Sequence, residues 1–157
     1  MDGNVFASGS SDLTFRVWDI RMKNAAFRAF EKNKCGVSSI RFMPENMNTL
    51  AVGYEDASVK IWDLRALWPV AKLNDKGYES VTSMAFSKSG RLLFSSHNAT
   101  KVKVWDILVE SKVSEFGGDN GQHHDVVKSV SMSEDGSTLL SSGKDGLIHK
   151  WQVVSKK

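Results

Sequence analysis

His123, Ser141, Asp145 and Trp151 are the residues whose types and spacing could do chemistry. A histidine, a serine and an aspartate form the catalytic triad of serine hydrolases, in which the imidazole takes the proton of the hydroxyl. Ser141 lies in a strand-like stretch, without the sharp turn that exposes a nucleophile and without an evident oxyanion hole. We therefore predict a buried structural network, in which Asp145 orients the imidazole and the Trp151 indole donates to the hydroxyl. No catalytic residue is assigned, and the chain is not predicted to be an enzyme.

Two other stretches have the residue types of ligand sites. The run H-H-D at His123–Asp125 offers metal ligands, but adjacent residues of an extended chain point apart, and no cysteine or second cluster lies near it in the sequence. The glycine-rich stretch Gly117–Gly121 is not followed by Lys-Ser/Thr at the spacing of a phosphate-binding loop. Cys35, the only cysteine, is interpreted as a turn or core residue. The sequence therefore predicts no metal site and no cofactor.

Four tryptophans, Trp18, Trp62, Trp105 and Trp151, recur at steps of 44, 43 and 46 residues. Each ends an alternating stretch that follows a polar turn, as in G-Y-E-D-A-S-V-K-I-W-D-L-R at Gly53–Arg65. A repeat in the low-to-mid forties that ends in Trp-Asp is the signature of a WD-repeat β-propeller blade. We predict an all-β fold, a partial propeller of about four blades, with the four indoles at equivalent places on third strands.

Short alternating stretches between turns predict fourteen strands in one domain, residues 1–157. The first blade (about 1–31) should lack its inner strand and the last blade (about 119–157) its outer strand, whereas the blades of about 32–75 and 76–118 are complete. We expect the C-terminal part of a larger ring, whether as a fragment, a partial gene product or one half of an oligomeric ring, with apolar faces left open on the two end blades. The predicted strands are Val5–Ser10, Thr14–Asp19, Ala25–Glu31, Val37–Phe42, Thr49–Tyr54, Ser58–Asp63, Pro69–Leu73, Val81–Phe86, Arg91–Ser96, Val102–Asp106, Lys112–Phe116, Val126–Met132, Thr138–Ser142 and Leu147–Val153.

The first three blades keep only parts of the polar network. The retained members are Ser8, Asp12 and Trp18 in the first blade, Asp56 and Trp62 in the second, and Ser95 and Trp105 in the third. In the second blade Val52 stands at the hydroxyl position and Asn33 near the histidine position, and in the third Ala99 replaces the aspartate. His97 is expected beside a turn at the surface, so His97→Ala should lower the free energy of unfolding by less than about 0.5 kcal/mol.

Composition excludes several classes of protein. The 157 residues are 41% hydrophobic and 25% charged, as in an ordinary globular domain, and the net charge is +3. The lysines and arginines are scattered, so no nucleic-acid groove is predicted. A single cysteine points to a reducing compartment. No secretory signal pattern and no apolar run of the roughly 18 residues that a membrane span needs is present.

Several motifs resemble one family more closely than WD-repeat proteins at large. They are S-G-S-S-D-L-T-F-R-V-W-D-I-R (Ser8–Arg21), Y-E-D-A-S-V-K-I-W-D-L-R-A (Tyr54–Ala66), V-T-S-M-A-F-S-K-S-G-R-L-L-F (Val81–Phe94) and V-W-D-I-L (Val104–Leu108). Over nearly its whole length the chain resembles the C-terminal four blades of the heterotrimeric G-protein β subunit. The long loop Gly117–His124 resembles forms of that family, such as plant ones, that carry an insertion there.

The resemblance implies a binding rim. In that family the top face of the ring binds the α subunit, for which effectors compete, and the γ subunit lies across the opposite face. The matching positions are Ser11, Glu55, Asn98 and Lys144 before the turns, and Gly36, Ser80 and Val126 before the first strands. Glu55 keeps an acidic group, whereas Lys144 replaces a tryptophan and Gly36 an aspartate.

Two functional interpretations remain open. The first is a non-catalytic protein-interaction scaffold of signal transduction, with G-protein α and γ subunits or effectors as partners. The second is a WD-repeat scaffold of another complex, such as one of RNA processing or a ubiquitin ligase. Under either interpretation the partners are proteins rather than nucleic acids. The implied location is cytoplasmic, and the first interpretation adds the inner face of the plasma membrane, reached through a partner.

Overall fold

The fold is built entirely of β-strands in the part of the chain that the computed structural model describes. The described residues are 3–23, 28–29, 34–66, 68–75, 77, 79–118 and 122–153. The strands are β1 (Val5–Gly9), β2 (Phe15–Asp19), β3 (Arg28–Ala29), β4 (Val37–Met43), β5 (Asn46–Tyr54), β6 (Val59–Asp63), β7 (Pro69–Leu73), β8 (Val81–Phe86), β9 (Leu92–His97), β10 (Lys101–Asp106), β11 (Ser111–Gly117), β12 (Val127–Met132), β13 (Thr138–Gly143) and β14 (Ile148–Gln152).

The strands form four antiparallel sheets in chain order. The first sheet is β1-β2-β3, the second β4-β5-β6-β7, the third β8-β9-β10-β11 and the fourth β12-β13-β14. The predicted fold class, a partial propeller with two four-stranded and two three-stranded blades, is confirmed. Most of the predicted strand Ala25–Glu31 lies outside the described residues, and Arg28–Ala29 is the part that the structure describes.

The four tryptophans occupy equivalent places, as predicted. Each is the penultimate residue of its strand and lies opposite an apolar residue of the preceding strand: Trp18 opposite Phe6, Trp62 opposite Leu50, Trp105 opposite Leu93 and Trp151 opposite Leu139. This constant register places each indole on the same face of its sheet, because side chains alternate between the two faces along a strand.

Hairpin turns set the strand boundaries. The turn between β4 and β5 contains only Pro44 and Glu45, and Glu45 adopts a positive φ of 58°. Because the turn is so short, β5 begins at Asn46, three residues before the predicted start at Thr49. Gly90 and Gly136 have φ of 73° and 75° in the equivalent turns, where glycine adopts the left-handed conformation without a steric penalty.

The core lies between successive sheets, and the indoles of the second, third and fourth sheets pack on the sheet before their own. Trp62 meets Phe15 of the first sheet edge-on at 5.2 Å between ring centroids, and Trp151 meets Phe116 of the third sheet at 4.5 Å. Trp105 is fully buried in the cluster that joins the second and third sheets. The expected open faces are found at the two ends, where Phe6 is 48% and Ile148 is 73% exposed.

Candidate functional site

The polar network of the fourth sheet is a continuous series of hydrogen bonds from Trp151 to Asp145. Trp151 Nε1 donates to Ser141 Oγ over 2.8 Å, and Ser141 Oγ lies 2.8 Å from His123 Nε2. His123 Nδ1 lies 2.8 Å from Asp145 Oδ2. Every member is satisfied when Nδ1–H donates to the carboxylate and Nε2 accepts the serine proton. His123 is fully buried and Ser141 is 1% exposed, so a substrate has no access to the hydroxyl.

Asp145 is fixed by the turn that it begins. Its carboxylate accepts the backbone N–H groups of Leu147 at 3.0 Å and His124 at 3.1 Å in addition to the His123 ring. Burial acts to raise the pKa of this carboxyl group, but these donors outweigh it and lower the pKa to about 2. The group is therefore a permanent anion at neutral pH, and it holds one imidazole tautomer in place.

The third sheet contains a second network, formed by the predicted Ser95 and Trp105 together with a histidine that was missed. Trp105 Nε1 donates to Ser95 Oγ over 2.8 Å, and Ser95 Oγ lies 2.9 Å from His97 Nε2. His97 Nδ1 lies 3.0 Å from the backbone oxygen of Glu79. Because a carbonyl oxygen only accepts, Nδ1 carries the proton and Nε2 accepts the Ser95 hydroxyl.

The expectation for His97 is therefore wrong. The side chain is fully buried at the end of β9, and burial lowers its pKa to about 4. The strand runs one residue further than its predicted end at Ser96, which places His97 on the same face as Ser95, two residues away. The i, i+2 spacing of serine and histidine was the signal in the sequence that pointed to this pair.

In the first and second sheets the predicted network members belong to separate interactions. Trp18 Nε1 donates to Ser8 Oγ over 2.8 Å, as in the other networks. Asp12 instead accepts from Thr14 and from Arg16, and these bonds hold the pKa of its carboxyl group well below the usual range.

Asp56 of the second sheet likewise bonds locally, accepting the hydroxyl of Ser58 at 2.6 Å. Trp62 is 5% exposed and packs on the first sheet. Asn33, expected near the histidine position, lies outside the described residues. Cys35 is half-buried, and burial raises the pKa of its thiol, the opposite of what activates a nucleophile.

A row of basic residues crosses the four sheets and was also missed. Each member lies two residues before the tryptophan of its sheet and directly opposite the hydroxyl position: Arg16 opposite Ser8, Lys60 opposite Val52, Lys103 opposite Ser95 and His149 opposite Ser141. The spacing relative to tryptophan would have revealed the row in the sequence. No second cluster of metal ligands was expected near His123. In the structure, however, His149 lies beside His123 and Asp145.

Six of the seven positions assigned to the binding rim come together in three pairs. The backbone N–H of Glu55 donates to the Gly36 oxygen at 3.1 Å. The N–H of Asn98 donates to Ser80 and that of Lys144 to Val126, both at 2.9 Å. The side chains of Ser11, Glu55, Asn98 and Lys144 are exposed, those of Ser80 and Val126 are half-buried, and Gly36 is buried.

Gly36 and Glu55 are joined by two hydrogen bonds. The Gly36 N–H donates to Glu55 Oε2 at 3.2 Å, so the two residues exchange a backbone and a side-chain bond. A Cβ atom at position 36 would lie 2.7 Å from the Glu55 carboxylate, closer than any van der Waals contact allows. The absence of a side chain at Gly36 therefore decides where the Glu55 carboxylate sits.

Comparison with known proteins identifies the family. The family of β-propeller domains described as "Nucleolar protein 10-like, N-terminal domain" matches residues 2–148. The chain belongs to this family.

The resemblance to G-protein β subunits is also confirmed. The chain is 31% identical over 156 residues to a guanine nucleotide-binding protein subunit beta of Oryza sativa subsp. japonica, covering 96% of this chain and 41% of the relative. It is 34% identical over 151 residues to that of Solanum tuberosum and 32% identical over 152 residues to that of Arabidopsis thaliana, covering 94% of this chain and 40% of each relative. The chain thus spans about two fifths of the length of these curated relatives, and it is a WD-repeat scaffold domain. No helix long and apolar enough to cross a membrane occurs in the described ranges.

Proposed function

We propose that the protein is a non-catalytic WD-repeat scaffold of the G-protein β type, which binds a G-protein α subunit or a competing effector through one rim of its blades. The observation that supports this most is the repeated backbone pairing that holds Glu55, Asn98 and Lys144 at the same place on three successive sheets. A row of side chains on fixed backbone binds a partner with little loss of conformational entropy. A γ subunit would lie across the opposite face, and the location would be cytoplasmic or at the inner face of the plasma membrane.

The chemistry of the rim predicts which contacts matter. The Glu55 carboxylate can accept a charge-assisted hydrogen bond from a partner arginine or lysine, and such bonds are the stronger class. The aspartate that the family resemblance implies at position 36 would crowd and repel this carboxylate, whereas Gly36 leaves room for it. Lys144 stands where the same resemblance implies a tryptophan, a residue type that often anchors an interface. Recognition is therefore centred on Glu55 and Asn98, with Ser11 and Lys144 beside them.

Titration calorimetry with an α subunit loaded with GDP tests the proposal. Glu55→Lys should weaken binding about tenfold by reversing the charge, and Lys144→Trp should tighten it about tenfold by restoring an aromatic anchor. Glu134→Lys is the matched control, because Glu134 is exposed in the hairpin turn between β12 and β13, away from the rim. Neither rim change should move the melting temperature by more than about 2 °C, since both side chains are exposed. Binding that neither variant alters would mean that another face is used.

The second candidate is a scaffold of another complex, such as one of RNA processing. The observation that favours it is the description of the matching family, which names a nucleolar protein. The same calorimetry separates the two candidates, because the second predicts no binding of the α subunit by the native chain. Affinity capture with the native chain and with Glu55→Lys would then show which partner depends on the rim.

A further inference from the structure

The fourth sheet differs from the other three at the basic row. Arg16 of the first sheet reaches Asp12 at 2.9 Å, Lys60 of the second lies 4.7 Å from the centre of the Tyr54 ring, and Lys103 of the third lies 3.3 Å from Asp75. All three are long cations. The fourth sheet has His149 instead, a short side chain that is neutral when it binds metal, at the same place opposite the hydroxyl position.

His149 lies against the polar network without joining it. Its ring stands edge-on to that of His123, with 4.4 Å between centroids and an interplanar angle of 82°. The Nε2 atom of His149 is buried and has no hydrogen-bond partner in the structure. A buried ring nitrogen without a partner is unfavourable and calls for an explanation, such as an ion that is bound there.

The surrounding atoms supply a set of metal donors. His123, Asp145 and His149 each offer one ligand atom, and the three atoms lie within 4.8 Å of one another. Two imidazoles and one carboxylate are the donors that Zn²⁺ and similar transition metals take, usually with water in the fourth position. We propose that His123, Asp145 and His149 form a binding site for a divalent transition metal of the zinc type.

Metal binding requires a small rearrangement that the site permits. Donor atoms around a tetrahedral zinc ion are roughly 3.3 Å apart, because each bond is about 2.0–2.1 Å long. The half-buried His149 ring must therefore move inward by up to about 1.5 Å, from within 4.8 Å of the other donors, and the bond between His123 Nδ1 and Asp145 must open slightly. The metal takes the lone pair of His123 Nδ1, and the imidazole then carries its proton on Nε2 and donates it to Ser141 Oγ.

The ion would link three parts of the fourth sheet. His123 precedes β12, Asp145 lies in the turn after β13, and His149 is on β14, so one ion would connect the two edge strands of the three-stranded sheet. Since the donors are arranged only in the folded chain, binding stabilises the folded state.

Titration of the whole, metal-stripped chain with Zn²⁺ and Co²⁺ tests the site. One equivalent of metal should bind, Co²⁺ should give the visible absorption of a tetrahedral complex, and Zn²⁺ should raise the melting temperature. His149→Ala should weaken Zn²⁺ binding by roughly 100-fold or more. This variant leaves the hydrogen-bond chain from Trp151 to Asp145 intact, so near-UV circular dichroism should match the native chain. His124→Ala is the matched control, because His124 is an exposed neighbour outside the cluster, and it should bind as the native chain does.

Three outcomes would overturn the proposal. The native chain would bind less than one equivalent of either metal, or His149→Ala would keep the native affinity, or His124→Ala would lose as much affinity as His149→Ala. Lys144 of the rim adjoins Asp145, but Glu55 and Asn98 lie on other sheets, so calorimetry of Glu55→Lys tests the proposed function separately from the metal site.

Discussion

The third and fourth sheets build the same Ser–His–Trp arrangement from histidines that come from different parts of the chain. In the fourth sheet His123 precedes the first strand, whereas in the third His97 ends the second strand. Both Nε2 atoms lie 2.8–2.9 Å from the serine hydroxyl that accepts the indole N–H. The Nδ1–H group donates a hydrogen bond to the Asp145 carboxylate in the fourth sheet and to the Glu79 carbonyl in the third. The imidazole therefore occupies the same position beside the serine in both sheets, whether the histidine comes from before the first strand or from the end of the second.

The two networks respond to acid through different groups. Burial lowers the pKa of the His97 imidazole to about 4 in the third sheet, and in the fourth sheet hydrogen bonds outweigh burial and lower the pKa of the Asp145 carboxyl group to about 2. Replacement of either histidine and a change of pH can therefore tell the two networks apart.

The largest expected effect is that of His97→Ala. It should lower the free energy of unfolding by about 2–4 kcal/mol, because it leaves a cavity and removes the partners of the Ser95 hydroxyl and the Glu79 carbonyl. His123→Ala should cost about 1–3 kcal/mol for the same kind of reason. Urea unfolding measures both, with the exposed His124→Ala as the control at less than about 0.5 kcal/mol. If His97→Ala costs no more than the control, the third network does not stabilise the fold.

The second largest expected effect is the loss of stability in acid that protonation of His97 causes. The unfolded histidine takes up its proton near pH 6.5, and the folded one only near pH 4. The contribution of His97 is therefore complete above pH 6.5 and is lost as the pH falls from 6.5 to 4, by up to about 3 kcal/mol. Urea midpoints across this range measure the loss, which His97→Gln should largely remove because glutamine does not titrate.

The fourth network should lose its stabilising contribution at a lower pH than the third. The pKa of Asp145 is lowered from 3.8 to about 2, so its contribution is present above 3.8 and is lost as the pH falls through 2. A loss of stability between pH 6.5 and 4 that persists unchanged in His97→Gln would contradict the assignment to the third sheet.

The smallest expected effect is that of Ala99→Asp, which restores the missing turn aspartate of the third sheet. Because His97 Nδ1 already donates to Glu79, the new carboxylate has no imidazole to orient, and the free energy of unfolding should change by less than about 0.5 kcal/mol. Urea unfolding at pH 7 checks this. Stabilisation by 1 kcal/mol or more would mean that His97 exchanges its carbonyl partner for the carboxylate.

The repeated parts of the molecule were predicted from the sequence, and the exceptions were missed although the sequence carried a spacing signal for each. The steps between tryptophans predicted four equivalent sheets, and His123, Ser141 and Asp145 were recognised because they stand in the order that the repeat requires. His97 was missed because its role depends on one extra residue of strand, and turn length decides that. His149 was missed because its neighbours are close in space but 26 and 4 residues away in sequence. The role of the rim in binding stays a prediction.

The sharing of each apolar cluster between two successive sheets has a consequence for how the chain comes apart. The second and third sheets each have two neighbours, whereas the first and fourth have one within the described residues. Where repeats touch only their neighbours, stability is the sum of terms for each repeat and each contact between repeats, and the ends open before the middle. Amide hydrogens of β5 and β9 should then exchange with solvent more slowly than those of β1 and β13, because the middle sheets open less often than the end sheets.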